Sequence, residues 1–167
     1  MIQHPFPPLY DQRSQILILG SFPSVKSRET AFFYGHPQNR FWKVMSGLLN
    51  EPFPETIPAR RAMLLKHGIA LWDVIASCEI RGSSDASIRD VTPNDLEQIL
   101  EHAPIRQVYA NGQTAGRLYR KYQERALCEK FGDCARVVIL PSTSPANAAW
   151  NLARLTQSWS RICNFVT

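Results

Sequence analysis

The chain has 167 residues, 44% of them hydrophobic, which is enough for one compact domain with a real core. No stretch is long and apolar enough to span a bilayer, and the proline-rich start, Met1 to Tyr10, lacks the basic-then-apolar pattern of a signal peptide, so the expected compartment is the cytoplasm. The net charge is +5 and arginine outnumbers lysine, a balance that suits a polyanionic partner because guanidinium grips phosphate in a bidentate fork.

Short apolar runs alternate with helical patterns, which predicts an α/β domain with a mostly parallel sheet. The first strand is 15–19, a continuous apolar run ended by Gly20. A helix follows over about 39–49, with Phe41, Met45 and Leu48 on one face. A second helix starts near Pro58, runs to His67 and is stopped by Gly68. The second strand is 69–73, and the polar stretch 77–89 reads as a long loop. Thr92 and Pro93 open another helix as cap and first-turn proline. The third strand covers 107–110, and Asn111-Gly112 turns the chain into a helix with Ala115, Leu118, Tyr119, Tyr122 and Ala126 on one stripe. The fourth strand is 136–140. A last helix begins at Ser144-Pro145, with Ala148, Leu152, Leu155, Trp159 and Ile162 facing the sheet.

Three of these strands end in short polar loops: Gly20 to Ser24, Asn111-Gly112, and Pro141 to Ser144. An open parallel sheet gathers such loops at its carboxyl edge, where ligands bind and helix N-termini favour anions or a leaving group that departs as one. The stretch Phe32-Phe33-Tyr34-Gly35-His36-Pro37-Gln38-Asn39-Arg40-Phe41-Trp42 places aromatics beside a polar tetrad at a helix start. Its aromatics pack in the core or stack on an extruded base, and Asn39 caps the helix or presents its amide to a ligand. Leu140 to Asn147 is a plain strand-to-helix connection or a groove-entering loop that hydrogen-bonds phosphates. Asn111 is a turn residue or a reader of a base edge.

Other chemistries lack their motifs. There is no G-x-S-x-G elbow, P-loop or G-x-G-x-x-G fingerprint, and the histidines form no metal pair. Cys78, Cys128, Cys134 and Cys163 include no C-x-x-C and have no histidine at zinc-ligand spacing, so reduced, mostly packed thiols are expected and no metal or cofactor is.

The segments GSFPS at 20–24, FYGHPQNRFW at 33–42, ALWDVIASCEIRGSSD at 70–85, ANG at 110–112 and LPSTSPAN at 140–147 span nearly the whole chain. In that order they resemble the uracil-DNA glycosylase superfamily, and within it the hypoxanthine-DNA (deoxyinosine) glycosylase branch. The resemblance implies one domain over 1–167: a three-layer αβα sandwich around a four-stranded parallel sheet. It also implies extrusion of the target nucleotide and metal-free hydrolysis of its N-glycosidic bond. Two usual groups are missing: Phe22 stands where many relatives carry an aspartate or asparagine, and Leu140 where some carry a histidine. In the hypoxanthine branch the catalytic role falls to the asparagine of the HPQN stretch, which is Asn39 here.

On that footing Asn39 orients a water and stabilises the cationic sugar through its carbonyl dipole. Phe22 or Tyr34 stacks on the flipped base, and Asn111, with Ser21 of the first motif, meets its polar edge. Ser142, Thr143, Ser144 and Asn147 line the DNA side. Lys26, Arg28 and Arg40 contact phosphates or simply sit on a solvated face. Asp85 reads as structural, and Asp73 as either structural or site-facing. The expected partner is DNA holding a deaminated base, bound by a monomer. Rival readings are a uracil or mismatch-specific glycosylase of the same fold, a non-catalytic lesion binder, and an enzyme acting on free nucleosides.

Overall fold

A computed structural model describes residues 1–166. The elements, in chain order, begin with strands β1 (Ile2–Gln3) and β2 (Ile16–Gly20), then helices α1 (Val25–Thr30), α2 (Phe41–Leu49) and α3 (Ile57–Lys66). Strands β3 (Ile69–Asp73), β4 (Ile75–Glu79) and β5 (Arg89–Pro93) precede α4 (Glu97–His102) and β6 (Gln107–Asn111). The chain ends through α5 (Gln113–Tyr119), α6 (Arg125–Phe131), β7 (Val138–Leu140) and α7 (Leu152–Trp159).

The four-stranded sheet runs β3-β2-β6-β7 with every pairing parallel, and helices flank it as a three-layer αβα sandwich requires. Strands β2 and β3 are fully buried, as expected for parallel strands covered on both faces. Helix α5 packs on β2, β6 and β7, α3 packs on β3, and α2 packs on α7. Phe41 and Trp159 meet edge to face at that last contact. Among the described residues no helix is long and apolar enough to cross a membrane.

Four expectations need correction. The polar stretch 77–89 is not one loop, and Thr92-Pro93 does not open a helix: β4 and β5 form a second, antiparallel sheet with β1. Strand β5 is mostly exposed, so its side chains carry no buried alternation to reveal it, and Asp95 Oδ1 accepts from Glu97 N–H where the helix begins. The stripe on α5 breaks after Tyr119, because Arg120–Glu124 is a π turn. Its extra residue rotates the helix, so Tyr122 and Ala126 face solvent and Leu127 is buried instead. The last helix starts not at Ser144 but at Leu152, where Asn151 Oδ1 accepts from Arg154 N–H at 2.8 Å. Before it, the chain runs in turns, with Asn147 N–H on Ser144 O and Trp150 N–H on Asn147 O, and the Arg40 guanidinium donates to the carbonyls of Ser144, Asn147 and Trp150.

Candidate active site

The carboxyl ends of β2, β3, β6 and β7 open into a cavity of about 310 Å³. That is the small end of the range for small-ligand sites, about 300–1,000 Å³. A second hollow of about 520 Å³ adjoins it, and the two share Asp85, Asn111, Ser142, Ser144 and Ala146. The first cavity thus gathers all three strand-end loops picked out in the sequence.

Its polar wall has a fixed direction. Thr143 N–H donates to Asn111 Oδ1 at 3.0 Å, and since only an oxygen can accept there, the Asn111 amide is pinned. Asn111 Nδ2 donates to Thr143 Oγ1 at 3.0 Å, so the Thr143 hydroxyl proton goes on to Asn39 Oδ1 at 2.9 Å. Phe41 N–H at the start of α2 donates to that same Asn39 oxygen at 2.9 Å. Asn39, one residue ahead of the N-cap Arg40, therefore both accepts the first N–H of α2 and lines the cavity. The carbonyl expected to orient a water already holds two donors. The amide Nδ2, which has no partner among the described residues, is the group left for a ligand. Thr143, fully buried, is the hinge pin of this relay rather than a surface contact.

The aromatic wall comes from the first motif and the aromatic run. Tyr34 sits at φ 52°, a left-handed conformation that costs a bulky residue about 1–3 kcal/mol and that clusters at functional sites. One face of its ring stacks on Phe41, centroids 4.2 Å apart, and its hydroxyl is buried beside the Asn111 amide, with no hydrogen bond of good geometry. Burial pushes that hydroxyl well above the usual phenol range, and the Asp73 carboxylate adds to the shift. Phe22 lines the cavity with the Arg28 guanidinium 5.6 Å from its ring centroid. Of the two stacking candidates, each therefore has one face covered.

Asp73, which the sequence left open, is buried and lines the cavity at the end of β3. Its Oδ2 lies 2.7 Å from His4 Nε2, and Phe6 N–H donates to His4 Nδ1 at 3.4 Å, which leaves the imidazole proton on the nitrogen facing Asp73. Its Oδ1 would lie 2.4 Å from a Cβ on residue 20, so only glycine at Gly20 lets the carboxylate reach the cavity. Gly112, at φ 98°, likewise turns the chain from β6 into α5 in a conformation that favours glycine.

The remaining candidates are spread around this centre. Ser21 donates its hydroxyl to Asp85 Oδ1 at 2.9 Å, drawing a loop residue to the cavity wall. Ser142 Oγ accepts from Ser144 N–H, Ser144 Oγ accepts from Ala146 N–H, and Asn147 Nδ2 donates to Ser142 O, which together order the rim. Arg40 does not reach out: its guanidinium is occupied by the carbonyls of Thr143, Ser144, Asn147 and Trp150. Arg28 donates to Gly82 O at 2.7 Å. Lys26 lies outside both cavities, 3.6 Å from Glu29. Sequence reasoning missed His4, which nothing in its proline-rich surroundings marks. It also undervalued Asp85, whose serine-rich loop hides that it folds back on Ser21.

Comparison with known proteins places these features. The model for the uracil DNA glycosylase superfamily matches residues 7–163. A hypoxanthine DNA glycosylase of Methanosarcina acetivorans is 33% identical over 164 residues, 97% of this chain and 98% of that protein. A hypoxanthine DNA glycosylase of Methanosarcina barkeri is 34% identical over 113 residues, 66% of this chain and 72% of that protein. A solution NMR structure from Methanosarcina acetivorans, described as a candidate uracil DNA glycosylase, superposes with a TM-score of 0.79 at 32% identity and covers 97% of this chain and 96% of its own.

Proposed function

The chain belongs to the uracil DNA glycosylase superfamily, and on that footing we propose that it excises hypoxanthine from deoxyinosine-containing DNA by hydrolysing the N-glycosidic bond. The names of the two Methanosarcina relatives agree with this substrate. The observation that carries the reading is the polarity of the Asn39–Thr143–Asn111 relay, which turns amide protons rather than lone pairs toward the ligand. A 6-oxopurine presents two adjacent acceptors, N7 and O6, on one edge. As the C1′–N9 bond breaks, its electron pair enters the base, and Asn39 Nδ2 stabilises the charge where it develops. The relay cannot reverse without leaving Phe41 N–H unpaired, so the donors are preorganised.

A cavity of this size admits one base and not a duplex, so the nucleotide is extruded into it. Phe22 and Tyr34 flank the base, and the ordered rim of Ser142, Thr143, Ser144 and Asn147 faces the strand. Lys26 and the net charge of +5 supply attraction to phosphate, while Arg40 holds the rim in place. All these residues come from one chain, so the site is complete without a second subunit.

The test is release of free hypoxanthine, separated by chromatography, from a deoxyinosine duplex. Asn39→Ala lowers the release rate by at least about 100-fold, the usual loss for one such donor. Its stability falls by about 1–3 kcal/mol, as the loss of the acceptor for Phe41 N–H and the Thr143 hydroxyl explains, and it stays folded. Undiminished release by Asn39→Ala removes that residue from the mechanism, and no release by the wild-type protein overturns the substrate assignment.

A further inference from the structure

We propose that Asp85 is the general base that holds and deprotonates the attacking water, a role that rests on the excision reaction above. The reaction needs a proton acceptor at C1′, and the obvious candidates are unavailable. Position 22 is phenylalanine, and the Asn39 carbonyl oxygen is filled by Phe41 N–H and the Thr143 hydroxyl. Asp73 reaches the cavity past Gly20, away from the residues shared with the second hollow, and its Oδ2 is held by His4.

Asp85 stands elsewhere. The inner cavity alone contains Gly20, Phe33, Tyr34 and Asp73, and a flipped base goes there. The sugar, still joined to the strand, occupies the mouth, where the inner cavity meets its neighbour. Of the residues shared by both hollows, Asp85 alone carries a group that takes a proton at neutral pH. The residue as a whole is exposed, yet its carboxyl turns inward: Ser21 donates to Oδ1 at 2.9 Å, which fixes the rotation and leaves Oδ2 for a water. The hydroxyl oxygen of that water bonds to C1′ as the C1′–N9 pair departs with hypoxanthine. Asp85 takes the water's proton and returns it to the base or to solvent, so one water is consumed per base released.

Burial pushes the Asp85 carboxyl above the usual aspartate range, and the Asp73 charge adds to this. The Ser21 hydroxyl and the Arg117 guanidinium pull it back. His4 sits on Asp73, and His36 also lines the cavity. Since the carboxylate is the active form, the excision rate falls with decreasing pH through a value above that of an ordinary aspartate.

Single-turnover excision of hypoxanthine from an oligonucleotide tests this, with binding measured separately on a 2′-fluoro deoxyinosine duplex that resists cleavage. Asp85→Asn lowers the rate by about 100-fold or more, leaves the binding constant within about threefold, and abolishes the acid limb of the pH profile. Asp85→Ala regains rate on addition of formate. Ser21→Ala shifts the acid limb to higher pH, because the hydrogen bond that lowers the Asp85 pKa is gone. A rate for Asp85→Asn close to that of wild type, an unchanged acid limb, or loss of binding with no formate rescue overturns the assignment, the last by making Asp85 a loop anchor. Absence of excision by the wild-type protein strikes the substrate reading instead.

Discussion

The smallest unit that explains the site is a single hydroxyl. Thr143 Oγ1 accepts from Asn111 and donates to Asn39, and through it two amides from distant parts of the chain hold one orientation. Valine has the same shape without the hydroxyl. Thr143→Val leaves a buried amide N–H of Asn111 unpaired and frees one lone pair of Asn39, at about 1–3 kcal/mol. In a chain of this length that lowers the melting point by roughly 2–10 °C. Excision falls more than this stability change explains, by at least about tenfold, because Asn39 can then rotate. Calorimetry and single-turnover kinetics on the same preparation separate the two effects, and an unchanged rate shows that Asn39 needs no such pin. At this scale the sequence was informative about which residues gather and silent about direction. Asn39, Asn111 and Thr143 all stand beside strand ends or helix starts. Which atom of each amide faces the ligand depends on partners up to 104 positions apart. His4 and Asp85 were obscure for the same reason, since their contacts on Asp73 and Ser21 span 69 and 64 positions.

At the scale of elements, the four parallel strands were legible because buried strands read as unbroken apolar runs, as in 16–20 and 69–73. The exposed β5 offered no such signal. It exists because its backbone pairs with β4, and the same chain reversal delivers Asp73 to the cavity. Val74 N–H donates to Gly20 O, and Asn94 Nδ2 bridges the carbonyls of Asp73 and Ile75. The π turn after α5 is a second case in which local pattern misleads. Continuous 3.6-residue periodicity buries Tyr122, whereas the inserted residue exposes it and buries Leu127. Leu127→Ala therefore costs about 2–4 kcal/mol and Tyr122→Ala less than about 0.5 kcal/mol in urea unfolding. The opposite ranking restores the regular helix. Helix α7 starts late where local pattern also misleads: residues 144–150 run in backbone turns that Arg40 clamps through the carbonyls of Ser144, Asn147 and Trp150.

For the whole molecule, the sheet sets the site and the N-terminal segment closes it from behind. Strand β1 pairs with β4, Leu9 bridges to Leu71, and His4 reaches Asp73, so the first ten residues tie the small antiparallel sheet to the large parallel one. The resulting cavity has donors on one wall, aromatics on another and two carboxylates in different settings, one held by a histidine and one by a serine. That distribution supplies what the proposed hydrolysis needs: donors for the departing base, a stacking slot, and a base for water. The measurement that tests this most directly is incubation of the purified protein with end-labelled duplexes that differ in one nucleotide: deoxyinosine, deoxyuridine, deoxyxanthosine or a normal base. Alkali then cleaves the strand at any abasic site. Cleavage at deoxyinosine, far above that at deoxyuridine and absent at normal bases, is the predicted result. Cleavage mainly at deoxyuridine, or at no position while the protein binds the duplex, contradicts the account.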